Sequence, residues 1–408
     1  MHFIISIDSV STDSRHYDCA KSDENCWLDI YDGNIYNDTI LTNAFSYKNK
    51  TIKLDKGWHT LDRDKDVVWF KGYSTEARLI DRVEARNYSS MDGNYCFIVF
   101  DKTTECINIY HDTNRGFGIY YTDSIITNLY TIKTCVKFDG CIMVDHNDEI
   151  IVSSLQTTFT LPDIIKDKSI DDMAAIIAPM MIKKIEGFMK YNNVVDLEIQ
   201  ATGGLDTLTV RALLDICAID YKLIDIKPFK DGCNWTNDTN SMMDILSKYH
   251  WGFQQCNYYD DITYVATGFW GDELLMRNPL QVHWILNHYD IDLSNEYTKH
   301  PDSYMLGYFQ QAYKEKLIER DKIFSNENEL YQYSLDYALD EPQITHVDNV
   351  IMFSPFKGID IYMKTLNMTN EAILEQVING ALQKKIIYDI NPKLLDCLEK
   401  YKNRRIPV

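Results

Sequence analysis

The segment Ala201-Thr202-Gly203-Gly204-Leu205-Asp206-Thr207 carries the strongest chemical signal in the chain. Adjacent glycines let a backbone turn tightly and aim successive N–H groups into one concavity. At a helix N-terminus such a nest binds phosphate, assisted by the helix dipole. Asp206 can hold a magnesium ion that neutralises a polyphosphate, and Thr202 and Thr207 add hydroxyls. No Lys follows as in a G-x-x-x-x-G-K-[ST] loop, and the third Gly of a dinucleotide fingerprint is missing. The competing reading is a glycine turn closing a strand, with Asp206 capping the next helix. The surrounding elements favour phosphate.

Those elements are a strand over Val194–Ile199, a helix over Thr209–Ala218 and a strand over Tyr221–Ile226. Strand, loop, helix and strand make a βαβ unit and imply a parallel sheet. Upstream, Ile170, Met173, Ile177, Met180, Met181, Ile185 and Phe188 recur at helical spacing, and Ser169 with Asp172 resembles a capping box. Downstream, a helix is expected over Ser241–Tyr249 and a strand over Ile262–Ala266 ending in another loop. From about residue 278 the chain reads as mostly helical, with a Lys/Arg-rich tail from Lys393 to Arg405.

Residues 1–155 read as mostly β. Val67–Phe70, Tyr95–Phe100 and Cys106–Tyr110 are rich in β-branched and aromatic residues and are bounded by turn formers such as Asp92-Gly93-Asn94 and Asp101-Lys102-Thr103. A connection containing Pro162 follows, so two units are expected, 1–155 and 170–408.

Lys and Arg number 41 against 61 Asp and Glu, a net charge of −20 that should repel a phosphate backbone. No apolar run approaches the length of a membrane span, and Met1–Asp8 has no basic region like that of a signal peptide. The ten cysteines include no C-x-x-C pair, which argues for reduced thiols over structural zinc. The expectation is a cytoplasmic, non-membrane protein.

The 201–207 segment resembles the S-G-G-x-D-S pyrophosphate loop (PP-loop) of the ATP pyrophosphatases, with Thr202 and Thr207 replacing Ser. Further segments resemble the asparagine synthetase branch. Gly268-Phe269-Trp270-Gly271-Asp272-Glu273-Leu274-Leu275 is similar to its G-E-G-x-D-E-L-F motif. Ser354-Pro355-Phe356-Lys357 is similar to R-x-P-F-L-D without the Arg and Asp. Asp92–Asp101 is similar to G-x-F-A-F-x-x-x-D, and Asp112–Tyr121 to R-D-R-x-G-x-x-P-L-Y-Y. Order and spacing agree from about residue 90 to 275. The first 65 residues and the C-terminal third match loosely.

The resemblance implies an α/β chain. An Ntn-type, β-rich αββα-like domain precedes a PP-loop domain with a parallel sheet and a helical C-terminal part. It implies ATP and Mg2+ as cofactors. A small-molecule or peptide carboxylate would be activated as an acyl-adenylate, and an amine nucleophile would then attack. Thr202, Gly203, Gly204, Leu205, Asp206, Thr207, Gly268 and Gly271 would bind nucleotide, and Asp206 and Asp272 would hold the metal. The family's late Lys maps to Lys384, or alternatively Lys385, in Gly380–Ile387. A homodimer is compatible with this reading. Two other readings stay open: another ATP pyrophosphatase activity such as adenylating an RNA base, which the net charge disfavours, and a non-catalytic scaffold retaining the fold.

Glutamine-dependent members carry Cys at position 2, freed by removal of Met1. Here His2 stands there, and the glutamine-binding N-G-E segment falls near Phe70-Lys71-Gly72-Tyr73-Ser74, where only Gly survives. None of Cys19, Cys26, Cys96 or Cys106 is at the terminus. The short stretch Trp251–Thr267 also replaces the helices that shape the family's acyl pocket. Purified protein incubated with glutamine should therefore release no glutamate above background. Clear hydrolysis would overturn the reading of His2.

Overall fold

The computed structural model describes residues 3–7, 43–112, 119–121, 125–127, 136–138, 140–154, 161, 163–200, 204–224, 262–277, 326–340, 346–347 and 350–398. The expected helix over Ser241–Tyr249 and the basic tail beyond residue 398 lie outside the described residues.

The β-rich reading of the N-terminal part holds. Its strands are β1 (Phe3–Ile7), β2 (Asn43–Tyr47), β3 (Lys50–Leu54), β4 (His59–Asp62) and β5 (Asp66–Ser74). After helix α1 (Leu79–Glu84) come β6 (Gly93–Asp101), β7 (Cys106–His111), β8 (Ile119–Tyr121), β9 (Ile125–Thr127), β10 (Val136–Phe138), β11 (Gly140–Val144) and β12 (Ile150–Ser154). They form two six-stranded antiparallel sheets, ordered β10-β8-β9-β1-β3-β2 and β12-β11-β7-β6-β5-β4. One apolar cluster draws Phe3, Ile5 and Ile52 from the first sheet and Trp69, Ile98 and Ile109 from the second, so the sheets stack face to face. The alternate residues of β5 and β6, among them Val68, Phe97 and Val99, pack with Leu79 and Val83 of α1. Both faces of β5 and β6 are thus covered, which is why they read as continuous apolar runs.

The C-terminal part is built on a parallel sheet. Helix α2 (Ile170–Tyr191) begins at the Ser169–Asp172 capping box and buries Met173, Ile177, Met181, Ile185 and Phe188. Next come β13 (Leu197–Gln200), α3 (Leu205–Ile216), β14 (Lys222–Ile224), β15 (Thr263–Ala266) and the short helix α4 (Gly271–Leu274). Helix α3 starts four residues earlier than its sequence period suggests. Leu205, Asp206 and Thr207 therefore occupy its first turn. Further on are α5 (Glu327–Asp340), β16 (His346–Val347), β17 (Val350–Phe353), α6 (Ile359–Thr365), α7 (Asn370–Asn379) and α8 (Ala381–Ile390). Sheet order is β14-β13-β15-β17-β16, parallel except for the edge strand β16. The described residues beyond 278 are mostly helical, as expected, and strands β16 and β17 are additions that the sequence reading did not include. All four residues of β17 are buried, so a four-residue apolar run gave neither alternation nor helical period.

The two parts meet along an aromatic and ionic seam. Tyr73 at the end of β5 packs edge-on against Phe188 (5.3 Å) and Phe353 (5.4 Å), which stack on each other at 4.0 Å. Lys357 Nζ donates to Gly93 O (2.9 Å) and Asp112 Oδ1 (3.2 Å), and both charged residues are buried. Lys184 Nζ reaches Asp92 Oδ2 at 2.7 Å. Removing one partner of a buried pair strands the other charge, at about 3–5 kcal/mol, whereas replacing both with apolar groups is often neutral. Lys357→Met alone should lower unfolding stability by that amount. Lys357→Met with Asp112→Leu should recover most of it. Additive losses in a denaturant double-mutant cycle would refute the pairing.

Candidate active site

Strand order defines where a ligand can sit. From β13 the chain passes through α3 to β14 on one side, while β15 lies on the other side of β13. The carboxyl ends of β13 and β15 flank the point where strand order reverses, the usual ligand position in open α/β sheets. The loop after β13 leads into α3 and the loop after β15 into α4. Both sequence motifs occupy this edge.

Asp206 is the second helical residue of α3, after the N-cap Gly204 and Leu205. It stands in the first turn of that helix, where the helix dipole favours negative charge. Thr207 is buried, and Thr209 Oγ1 donates to Leu205 O at 2.9 Å, tying down that turn. Thr202 and Gly203 lie outside the described residues.

The second loop is pressed directly onto Asp206. A Cβ added at Gly268 would lie 2.8 Å from both Asp206 Cβ and Thr207 N. One added at Gly271 would lie 2.4 Å from Asp206 Cγ and 2.5 Å from its Oδ1. Only glycine permits this approach. The loop is held by Thr267 N–H to Phe353 O (2.8 Å), and Ser354 Oγ donates to Phe269 O (2.7 Å). Trp270 (φ 66°) and Met276 (φ 64°), on either side of α4, adopt the left-handed region. Such bulky residues cost of order 1–3 kcal/mol there. Burial of both side chains offsets it.

Asp272 and Asp206 are thereby brought within hydrogen-bonding reach. Burial, then the Asp272 charge, pushes the Asp206 carboxyl up to about 8; Arg277 and the Gln383 amide oppose the rise. Arg277 is itself buried, and its Nη1 pairs with Asp272 Oδ1 at 2.8 Å. Two carboxylates crowded beyond what one Arg neutralises suit a divalent cation. Among the described residues no group of three or more His, Cys, Asp or Glu is placed to hold a metal. The chemistry of two carboxylates is of the kind Mg2+ takes, since it uses one or two and completes its shell with water and phosphate oxygens.

Helix α8 supplies the third side of the site. Gln383 Nε2 donates to Asp206 Oδ1 at 3.1 Å. Its neighbour Lys384 is half-buried on the same helix. Lys385 instead pairs with Asp389 (2.7 Å) and Asp171 (3.5 Å), and the Asp389 hydrogen bond raises its pKa. Sequence reasoning missed Arg277, Gln376 and Gln383. Arg277 had a usable signal, a cation five residues after Asp272 in an acidic motif. The glutamines had none.

The crowding has a sign. With its pKa raised in the fold, Asp206 contributes stability that is complete below about pH 4, the unfolded carboxylate range, and is lost as pH rises through about 8. In EDTA at about pH 8.5, Asp206→Asn should melt roughly 2–6 °C above the parent protein, and the gap should close toward pH 4. Magnesium should stabilise the parent and not the variant. An Asp206→Asn protein that melts lower at alkaline pH would show that the carboxylate is not under this stress.

No protein-family model matches the chain, and no curated protein matches it significantly.

Proposed function

We propose that the chain is an ATP- and Mg2+-dependent amide-forming ligase of asparagine-synthetase type, acting without glutamine hydrolysis. The observation that carries this reading is the meeting of Asp206 and Asp272 at the carboxyl edge of the parallel sheet, with Gly268 and Gly271 packed on Asp206. On this reading residues 170–408 are the PP-loop domain and residues 1–155 an Ntn-type domain retained for architecture.

Substrate carboxylate oxygen attacks the α-phosphorus of ATP, forming an acyl-adenylate and releasing pyrophosphate. An amine then attacks the acyl carbon and AMP leaves. Charge grows on the departing phosphates, and a bound Mg2+ would neutralise it. On this reading the first turn of α3 and the Thr202, Gly203, Gly204, Leu205 and Thr207 segment leading into it would supply N–H and hydroxyl donors to the β- and γ-phosphates. Asp206 and Asp272 would hold the metal, with Arg277 fixing Asp272 from behind. Lys384, next to Gln383 on α8, is the first candidate for steadying the adenylate, and Lys385, which pairs with Asp389 and Asp171, is the alternative.

The N-terminal part favours an amine other than glutamine-derived ammonia. Lys71, in the segment where glutamine would be recognised, is buried with its Nζ 3.1 Å from both oxygens of the equally buried Asp55. Trp58 Nε1 adds a third contact to Asp55 at 2.7 Å. Neighbouring Tyr73 is sealed in the seam. Neither side chain is free to bind an amino acid.

Pyrophosphate exchange into ATP, run with candidate carboxylates and amines, tests the reading. Exchange should need magnesium and a carboxylate. Asp206→Ala or Asp272→Ala should cut it by roughly 100-fold or more. Exchange that depends on RNA would favour base adenylation. Neither Mg-ATP binding nor exchange under any substrate would leave only a scaffold.

A further inference from the structure

Behind the aspartate pair lies a buried polar chain that the ligase reading does not use. Helices α7 and α8 are joined by the single residue Gly380 at φ 61°, which ends one helix and starts the next. This sharp corner brings Gln376 and Gln383 together, both with no exposed surface. Gln376 Nε2 donates to Leu275 O (2.6 Å) and to Gln383 Oε1 (2.7 Å). Leu382 N–H donates to Gln376 Oε1 at 2.8 Å, and Gln383 Nε2 donates to Asp206 Oδ1.

The two ends of an amide are normally assigned from their partners, because oxygen and nitrogen look alike. Here the assignment follows from the backbone. The Leu382 N–H can only donate, so the group facing it on Gln376 is oxygen. The other end of Gln376 is then NH2, which suits the Leu275 carbonyl, a group that can only accept. The atom of Gln383 facing Gln376 is oxygen, so the atom facing Asp206 is NH2. Each link has one satisfiable polarity, and the chain ends in a donor aimed at a carboxylate.

We infer that Gln383, oriented by Gln376, is a positioning residue that fixes the Asp206 carboxylate for metal-dependent nucleotide binding. This rests on the proposed role of Asp206. The terminal torsion of Asp is soft and roughly two-fold. Against the negative charge of Asp272, a lone carboxylate would turn away. A fixed donor at Oδ1 holds its plane and favours the ionised form that a cation needs. The same relay grips the end of α4 through Leu275 O, so one glutamine pair links the first turn of α3 to the end of α4. Partners behind a metal ligand commonly set metal affinity by 10–100-fold.

The test compares binding of a fluorescent ATP analogue in saturating magnesium and in EDTA, using the full chain. Magnesium should tighten binding to the parent protein. In Gln383→Met and Gln376→Met that tightening should fall about tenfold or more, while affinity in EDTA stays within about twofold. Gln383→Glu keeps the shape, removes the donor and adds a like charge, so it should lose more than Gln383→Met. A merely structural role would instead lower affinity equally in both conditions and leave the ratio unchanged, overturning the inference. Should a single variant fail to fold, the double Gln376→Met, Gln383→Met variant removes both amides together and leaves no stranded partner between them; a parent-like magnesium effect there overturns the inference equally. If the parent protein shows no magnesium effect, the metal reading of Asp206 falls first, whereas parent-like glutamine variants beside a dead Asp206→Asn would sink the relay alone.

Discussion

The carboxyl edge of the parallel sheet is organised around one cost, that of placing the Asp206 and Asp272 carboxylates within reach of each other. Nothing in folding requires the pair. Burial and like charge both work against it, and stability alone would replace either residue readily. The surroundings answer the cost piece by piece. Gly268 and Gly271 remove the atoms that would keep the loops apart, Arg277 neutralises Asp272, and Gln383 donates to Asp206. The left-handed Trp270 and Met276 keep the short helix in place with buried side chains. Strain and charge are concentrated where two chain segments cross a sheet edge. Such expense persists at functional sites because ligand binding recovers it.

Much of this was legible in the sequence because it lies in local pattern. The period of α2, its capping box and the β13–α3–β14 unit all follow from residues a few positions apart. The Gly-Gly and Asp-Glu motifs announced themselves by following strands. Strand β17 escaped because four buried residues have no polar alternation to betray them. Gln383 escaped for a different reason. Its partner Asp206 is 177 positions away, and an amide on a helix face has the same local context whether it meets water or a carboxylate. The helix start at Leu205, four residues early, matters more than its size suggests. It turns Asp206 from a loop residue into one fixed by the first helical turn.

The seam between the two parts bears on why the antiparallel sheets persist. Lys357 takes its oxygen partners from Gly93 and Asp112 in the N-terminal part, and its Nζ lies 5.6 Å from the centre of the Trp270 ring. Burial lowers its pKa, and Asp112 from across the seam opposes that shift. Trp270 immediately precedes Gly271, the residue in closest approach to Asp206. Ser354, three residues before Lys357, holds the Phe269 carbonyl from the other side. The loop that carries Asp272 therefore rests on a segment whose own anchor is the β6–β7 sheet. Deleting that sheet would remove the Gly93 and Asp112 acceptors of Lys357 and take Tyr73 away from the stacked Phe188 and Phe353 rings. The antiparallel sheets thus have a physical task of their own, since they anchor Lys357 and, with it, the segment packed on Trp270 beside Asp272.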